Sequence, residues 1–103
     1  MTPTSRCRIP WCISTHKADR GHYGHSTTVA GVTVTPAQGF VDGAFWSPLI
    51  RTAFPVDGQP RELDLSPQLA RDLADMLAAV GPEWVEAFCD ALRAAADTLG
   101  GAA

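Results

Sequence analysis

The chain has 103 residues, the length of one small domain, at which a bound metal or a partner often supplements a modest hydrophobic core. No apolar run approaches the roughly 18 to 20 residues of a membrane span, and the first residues lack the apolar segment of a signal peptide. We therefore expect a cytoplasmic protein with no membrane partner. The net charge is −3, with 8 basic and 11 acidic residues.

The first predicted element is a metal-binding loop at residues 1–25. All three histidines and two of the three cysteines fall in the stretch CRIPWCISTHKADRGHYGH. The candidate ligands follow the pattern C-x4-C-x3-H-x5-H-x2-H and are Cys7, Cys12, His16, His22 and His25. Zinc prefers thiolate and imidazole donors that come in short pairs, so the loop predicts a zinc site. An odd number of cysteines without a secretion signal favours metal ligands or free thiols over a disulfide framework.

The predicted ligand set is Cys7, Cys12, His16 and His25. His25 directly precedes a predicted strand whose sheet would hold it, whereas the alternative, His22, lies in a glycine-flanked turn. Three competing explanations of the cluster are a chance grouping of loop residues, a disulfide between the first two cysteines, and a catalytic zinc with three ligands and a water. Asp19 is the only carboxylate near the loop, which argues against the catalytic explanation.

A β-meander is predicted for residues 26–65. The segment STTVAGVTVTP, residues 26–36, alternates with the period of two of a half-buried strand rich in β-branched residues, and it predicts the first strand. Turn signals at Asp42-Gly43 and Asp57-Gly58 separate the apolar groups that follow. Pro48 is expected at an edge or a bulge because proline cannot donate to a strand ladder.

A helical hairpin is predicted for residues 66–100. Ser66 can cap the first helix, Pro67 suits its first position, and Gly81-Pro82 ends it. One face of this helix carries Leu69, Leu73, Met76, Leu77 and Val80. The second helix has a wider apolar stripe, formed by Trp84, Val85, Phe88, Cys89, Leu92, Ala95 and Leu99. Cys89 lies on this stripe, so we expect a small buried hydrophobe and not a ligand.

These elements define an α+β fold. It is a single domain, residues 1–103, with a small antiparallel β-sheet, an N-terminal zinc-binding loop and two C-terminal α-helices. The sheet and helices carry enough apolar residues for a core of their own, with the predicted core formed by Val29, Val32, Val34, Phe40, Phe45, Leu49, Ile50, Leu69, Leu73, Leu77, Phe88 and Leu92.

The element Trp11-Cys12-x3-His16 follows a cysteine and a proline and precedes a later histidine at the start of a strand. Together with the C-terminal LSPQLARDLADML and ALRAAADTL segments, it resembles a family of small actinobacterial proteins of unknown function, frequent in Streptomyces-type genomes and their mobile elements. The resemblance covers nearly the whole chain and implies a fold and a metal set but no reaction. The chain departs from the family pattern by its longer GPEWVEAFCD segment.

The predicted function is that of a small zinc-binding, non-enzymatic interaction or regulatory module in which zinc is structural. Its partner is expected to be another protein or a second copy of the chain. The alternative is a nucleic-acid-associated regulator, because residues 1–25 carry a net +3 while residues 26–103 carry −6. That alternative would use Arg6, Arg8, Lys17 and Arg20.

Overall fold

A five-stranded antiparallel sheet forms the centre of the molecule. The computed structural model describes residues 9–16, 20–83 and 85–100. The sheet order is β1-β3-β6-β7, with β2 also paired to β3, and a separate two-stranded sheet consists of β4 and β5. The strands are β1 (His22–Tyr23), β2 (Thr27–Val29), β3 (Val32–Gln38), β4 (Phe40–Val41), β5 (Ala44–Phe45), β6 (Leu49–Val56) and β7 (Gln59–Leu65). Two helices follow, α1 (Pro67–Val80) and α2 (Val85–Gly100), which gives the predicted α+β fold.

Three two-residue turns connect neighbouring strands. The central residues are Ala30-Gly31, Asp42-Gly43 and Asp57-Gly58, and all six have a positive φ between 52° and 83°. Positive φ at both positions is the property of the type I′ turn, whose twist matches that of the flanking strands. Both predicted turn signals are therefore confirmed. The single strand predicted for residues 26–36 is wrong, because the turn at Ala30-Gly31 divides it into β2 and the start of β3.

A β-bulge separates β1 from β2. Tyr23 pairs with Ala37, and Thr27 pairs with Val34, so three residues of one strand face two residues of β3. Gly24 lies opposite Pro36, since its N–H donates to Pro36 O at 2.9 Å, and Ser26 lies opposite Thr35, since their hydroxyls are 2.6 Å apart. The residue between them, His25, is therefore the extra residue of the bulge. The bulge also accommodates Pro36. Proline has no N–H to donate to the strand that carries the bulge, and the bulge interrupts the hydrogen-bond ladder at this point. Pro48 itself lies between β5 and β6, outside any strand.

The helices pack as an antiparallel pair on one face of the sheet. Ser66 caps α1, with its Oγ accepting a hydrogen bond from Leu69 N–H at 3.1 Å, and Gly81 follows the last turn, as predicted. The core joins Val34, Ile50 and Leu65 of the sheet to buried residues of both helices, among them Ala70, Ala74, Cys89 and Leu92. Cys89 is 0% exposed, which confirms its prediction as a buried hydrophobe.

Two residues of the predicted core are exposed, so their assignment to the core is wrong. Leu69 is 51% exposed and Phe45 is 48% exposed. Helix α1 turns Ala70 and Ala74 inward, both 0% exposed, and these small side chains allow the two helices to approach closely. Met76 and Val80 consequently face solvent with Leu69.

Ion pairs join the outer surfaces of the two helices. Arg71 Nη1 lies 2.8 Å from Asp97 Oδ1, and Arg93 Nη2 lies 2.8 Å from Asp75 Oδ1. These pairs are solvent-exposed and add little to stability. Within the described residues, neither helix is long and apolar enough to cross a membrane.

Candidate metal centre

The described loop before β1 is attached to the sheet by its backbone. A tight turn is closed by Cys12 N–H donating to Ile9 O at 3.1 Å, and Ile13 N–H then donates to Tyr23 O at 2.8 Å. This second bond places the loop beside β1. Cys12, one residue before it, therefore lies next to the strand that carries His22.

Gly24 allows the loop to approach the sheet closely. A Cβ atom at this position would lie 2.8 Å from Pro36 Cγ, 3.2 Å from Trp11 O and 3.3 Å from Trp11 Cε3. Such distances are shorter than van der Waals contact, so a larger side chain would force Pro36 to shift and would push Trp11 back by a few tenths of an ångström. The glycine thus allows Trp11, which immediately precedes Cys12, to pack closely against this part of the sheet.

Cys12 and His16 face each other across four residues. The Cys12 Sγ and His16 Nε2 atoms are 3.7 Å apart. His16 has a φ of 60°, in the left-handed region, and its N–H donates to Ser14 Oγ at 3.1 Å. A left-handed residue reverses the direction of the chain, which returns the imidazole toward the thiol. Both side chains are half-buried.

His22 completes a group of three ligand atoms. The donor atoms of Cys12, His16 and His22 all lie within 4.8 Å of one another, so the group could hold a metal ion. His22 is only 9% exposed. Its position in β1, at the edge of the sheet, brings it to the loop.

Aromatic rings surround the His22 imidazole. Phe45 stacks on it with ring centroids 4.7 Å apart and planes 18° apart, while Trp11 meets it edge-on at 6.2 Å. The His16 ring is nearly perpendicular to it at 5.3 Å. Burial, and then the charge of His16, lower the pKa of His22 below its ordinary value of 6.5. A lowered pKa favours the neutral imidazole, which is the form that binds metals.

The predicted ligand set is only partly assembled by the described residues. Cys12 and His16 come together as predicted, but the histidine beside them is His22, the alternative, and not His25. Cys7 lies outside the described residues. The complete set of Cys7, Cys12, His16 and His25 therefore stays a prediction.

His25 occupies a different environment. As the extra residue of the bulge it is exposed, and it lines a cleft of about 270 Å³ between the loop, β3 and α2. Trp11, Pro36 and Ala95 form other parts of the same cleft. The bulge thus separates His22, which lies beside Cys12 and His16, from His25, which lies in the cleft.

Sequence reasoning missed Phe45 as part of the site. It was assigned to the core from its apolar character, and nothing in its spacing indicated a contact with a histidine 23 positions earlier. Trp11 also meets His22 edge-on.

Of the four basic residues behind the nucleic-acid alternative, only Arg20 lies in the described part of the chain. Its guanidinium carbon lies 5.5 Å from the centre of the Phe40 ring. No protein-family model, curated protein or solved structure matches this chain.

Proposed function

We propose that this protein is a zinc-binding, non-enzymatic interaction or regulatory module, in which the metal stabilises the N-terminal loop. The observation that carries the proposal is the convergence of the Cys12, His16 and His22 donor atoms within 4.8 Å. One thiolate and two imidazoles are a donor set that suits zinc, and soft thiolate disfavours magnesium and calcium.

The distance between two of the donors fits a tetrahedral zinc ion. Zinc-to-sulfur and zinc-to-nitrogen bonds of usual length at a tetrahedral angle place the two ligand atoms about 3.6 Å apart. Cys12 Sγ and His16 Nε2 are 3.7 Å apart. These two side chains therefore need little movement to bind the ion.

A structural zinc site has four protein ligands. We assign three to Cys12, His16 and His22, and we retain Cys7 from the sequence pattern as the fourth. The resulting pattern, C-x4-C-x3-H-x5-H, replaces His25 by His22. The aromatic shell of Trp11 and Phe45 around His22 favours a closed structural site, since it limits the access of water to that ligand.

The interaction part of the proposal is supported by the outer face of α1. Leu69, Met76 and Val80 are 51%, 59% and 78% exposed. With Leu73 they repeat at intervals of four, three and four residues, the spacing at which one helix packs against another. We infer that the partner is a protein or a second copy of the chain, and light scattering of the zinc-loaded protein would distinguish the two by mass.

Native mass spectrometry of protein expressed in zinc-replete medium tests the metal assignment. We expect about one zinc per chain, retained by His25→Ala and lost far more readily by His22→Ala. The two variants are a matched pair because each removes one imidazole from the same short segment. A folded, metal-free wild-type protein would refute the zinc assignment, and greater loss from His25→Ala would restore the ligand set predicted from the sequence.

A further inference from the structure

The hairpin of β4 and β5 does not belong to the main sheet. It forms its own two-stranded ladder, in which Phe40 pairs with Phe45 around the Asp42-Gly43 turn. Two hydrogen bonds close its base, from Trp46 N–H to Gly39 O and from Gln38 Nε2 to Trp46 O, both at 2.8 Å. An isolated two-stranded hairpin is marginally stable in water, so its contacts with the rest of the molecule decide its position.

One such contact is made directly with a candidate metal ligand. The Phe45 ring lies nearly parallel to the His22 ring, with an angle of 18° between planes and 4.7 Å between centroids. Phe40 in turn meets the edge of Phe45 at 4.7 Å, and Arg20 lies over Phe40. The contacts form a series in which Phe45 stacks on the histidine, Phe40 packs on Phe45, and Arg20 lies over Phe40.

A stacked ring restricts the rotation of the imidazole about its Cβ–Cγ bond. The terminal torsion of histidine is otherwise broad, and a metal bond requires the nitrogen lone pair to point at the ion. A ligand that is already oriented loses less conformational freedom when the metal binds. The contact with Phe45 therefore orients the His22 imidazole before the metal arrives, and this orientation favours metal binding.

We propose that Phe45 is a positioning residue for His22 and that the β4–β5 hairpin acts as a cover whose closure is linked to metal binding. The proposal rests on the zinc site proposed above. Linkage is reciprocal: if the closed hairpin raises the affinity of the site for zinc, then zinc must stabilise the closed hairpin by the same factor.

The partial exposure of Phe45 makes this role separable from a role in folding. Its side chain is 48% exposed, whereas the largest core side chains are below 2%. Replacing Phe45 should therefore disturb the core far less than replacing a buried residue. The effect on metal affinity can then be measured in a folded protein.

The test compares Phe45→Leu, Phe45→Tyr and Phe40→Leu with the wild type. Zinc affinity is measured by competition with a chromophoric chelator, and cobalt substitution reports the ligand geometry through its visible absorption. We expect Phe45→Leu to weaken zinc binding about 10- to 100-fold, the usual effect of removing a group that orients a ligand. Phe45→Tyr should retain the affinity because it retains the ring, and Phe40→Leu should have the smaller effect because the Phe40 ring packs on Phe45 and reaches the site through it.

Hydrogen exchange in the wild type tests the reciprocal half without any variant. The Trp46 amide closes the base of the hairpin, so its exchange should slow when zinc is added. Unchanged exchange of this amide, or wild-type zinc affinity and cobalt spectrum in Phe45→Leu, would overturn the proposal while the zinc site itself stood. A wild-type protein that bound no zinc would overturn both.

Discussion

The loop of residues 9–16 and the body of residues 20–83 and 85–100 are held together by different means. In the body, Val34, Ile50 and Leu92 are at most 1% exposed and pack with both helices. In the loop, the apolar side chain of Ile13 is 53% exposed, and a few backbone hydrogen bonds fix the chain. The body is stabilised by apolar burial, whereas the loop gathers donor atoms that a metal can join.

The two described cysteines show the same contrast. Cys89 is 0% exposed in the core, while Cys12 is half-buried, with its sulfur 3.7 Å from a histidine nitrogen. A thiol among aliphatic side chains behaves as a hydrophobe, and a thiol beside imidazoles is placed to bind metal. Surroundings, and not residue type, therefore determine the role of each cysteine.

The largest expected effect on global stability comes from the body. Leu92→Ala should lower the free energy of unfolding by about 2 to 5 kcal/mol, because it leaves a cavity in the core. Leu69→Ala, at a half-exposed position, is the matched control and should cost about 1 kcal/mol or less. Urea denaturation measures both. If the two variants lost equal stability, the assignment of the core to the inner side of the helices would be wrong.

A smaller effect is expected at the start of α1. Ser66→Ala removes the acceptor for Leu69 N–H and should destabilise the protein by about 1 kcal/mol. Zinc content should not change, since the helix cap lies outside the ligand group. Denaturation and metal analysis of the same sample check both statements, and a loss of zinc would show that the two regions are not independent.

The smallest effect concerns the metal-free protein in acid. The lowered pKa of His22 means that the unfolded chain binds a proton more readily than the folded chain. The contribution of His22 to stability is therefore present above pH 6.5 and is lost as the pH falls through the folded-state pKa. Urea midpoints across this range should decline less in His22→Ala than in the wild type. An identical decline would assign the pH dependence to other groups.

Much of the fold follows from local signals. The sequence Ser66-Pro67 begins α1, and the Asp-Gly pairs form type I′ turns, because each depends on residues adjacent in the chain. The turn at Ala30-Gly31 was not predicted, since alanine is an unusual residue for positive φ and the β-branched alternation continues across it.

The site was less predictable than the fold. The clustering of Cys12 and His16 was visible in the sequence, but the choice between His22 and His25 depends on a bulge of one residue. A shift of one residue changes the face to which a strand side chain points, and local sequence does not specify such a shift. The same limitation applies to Phe45, whose contact with His22 depends on how a separate hairpin folds over the sheet.

Hydrogen exchange with and without a zinc chelator tests most directly whether metal, and not apolar burial, holds the loop. We expect chelation to remove protection from the loop before β1, including the Ile13 amide, while α2 remains protected by its buried face. Persistent protection of the loop after zinc removal would contradict the account, and so would a simultaneous loss of protection in loop and helix.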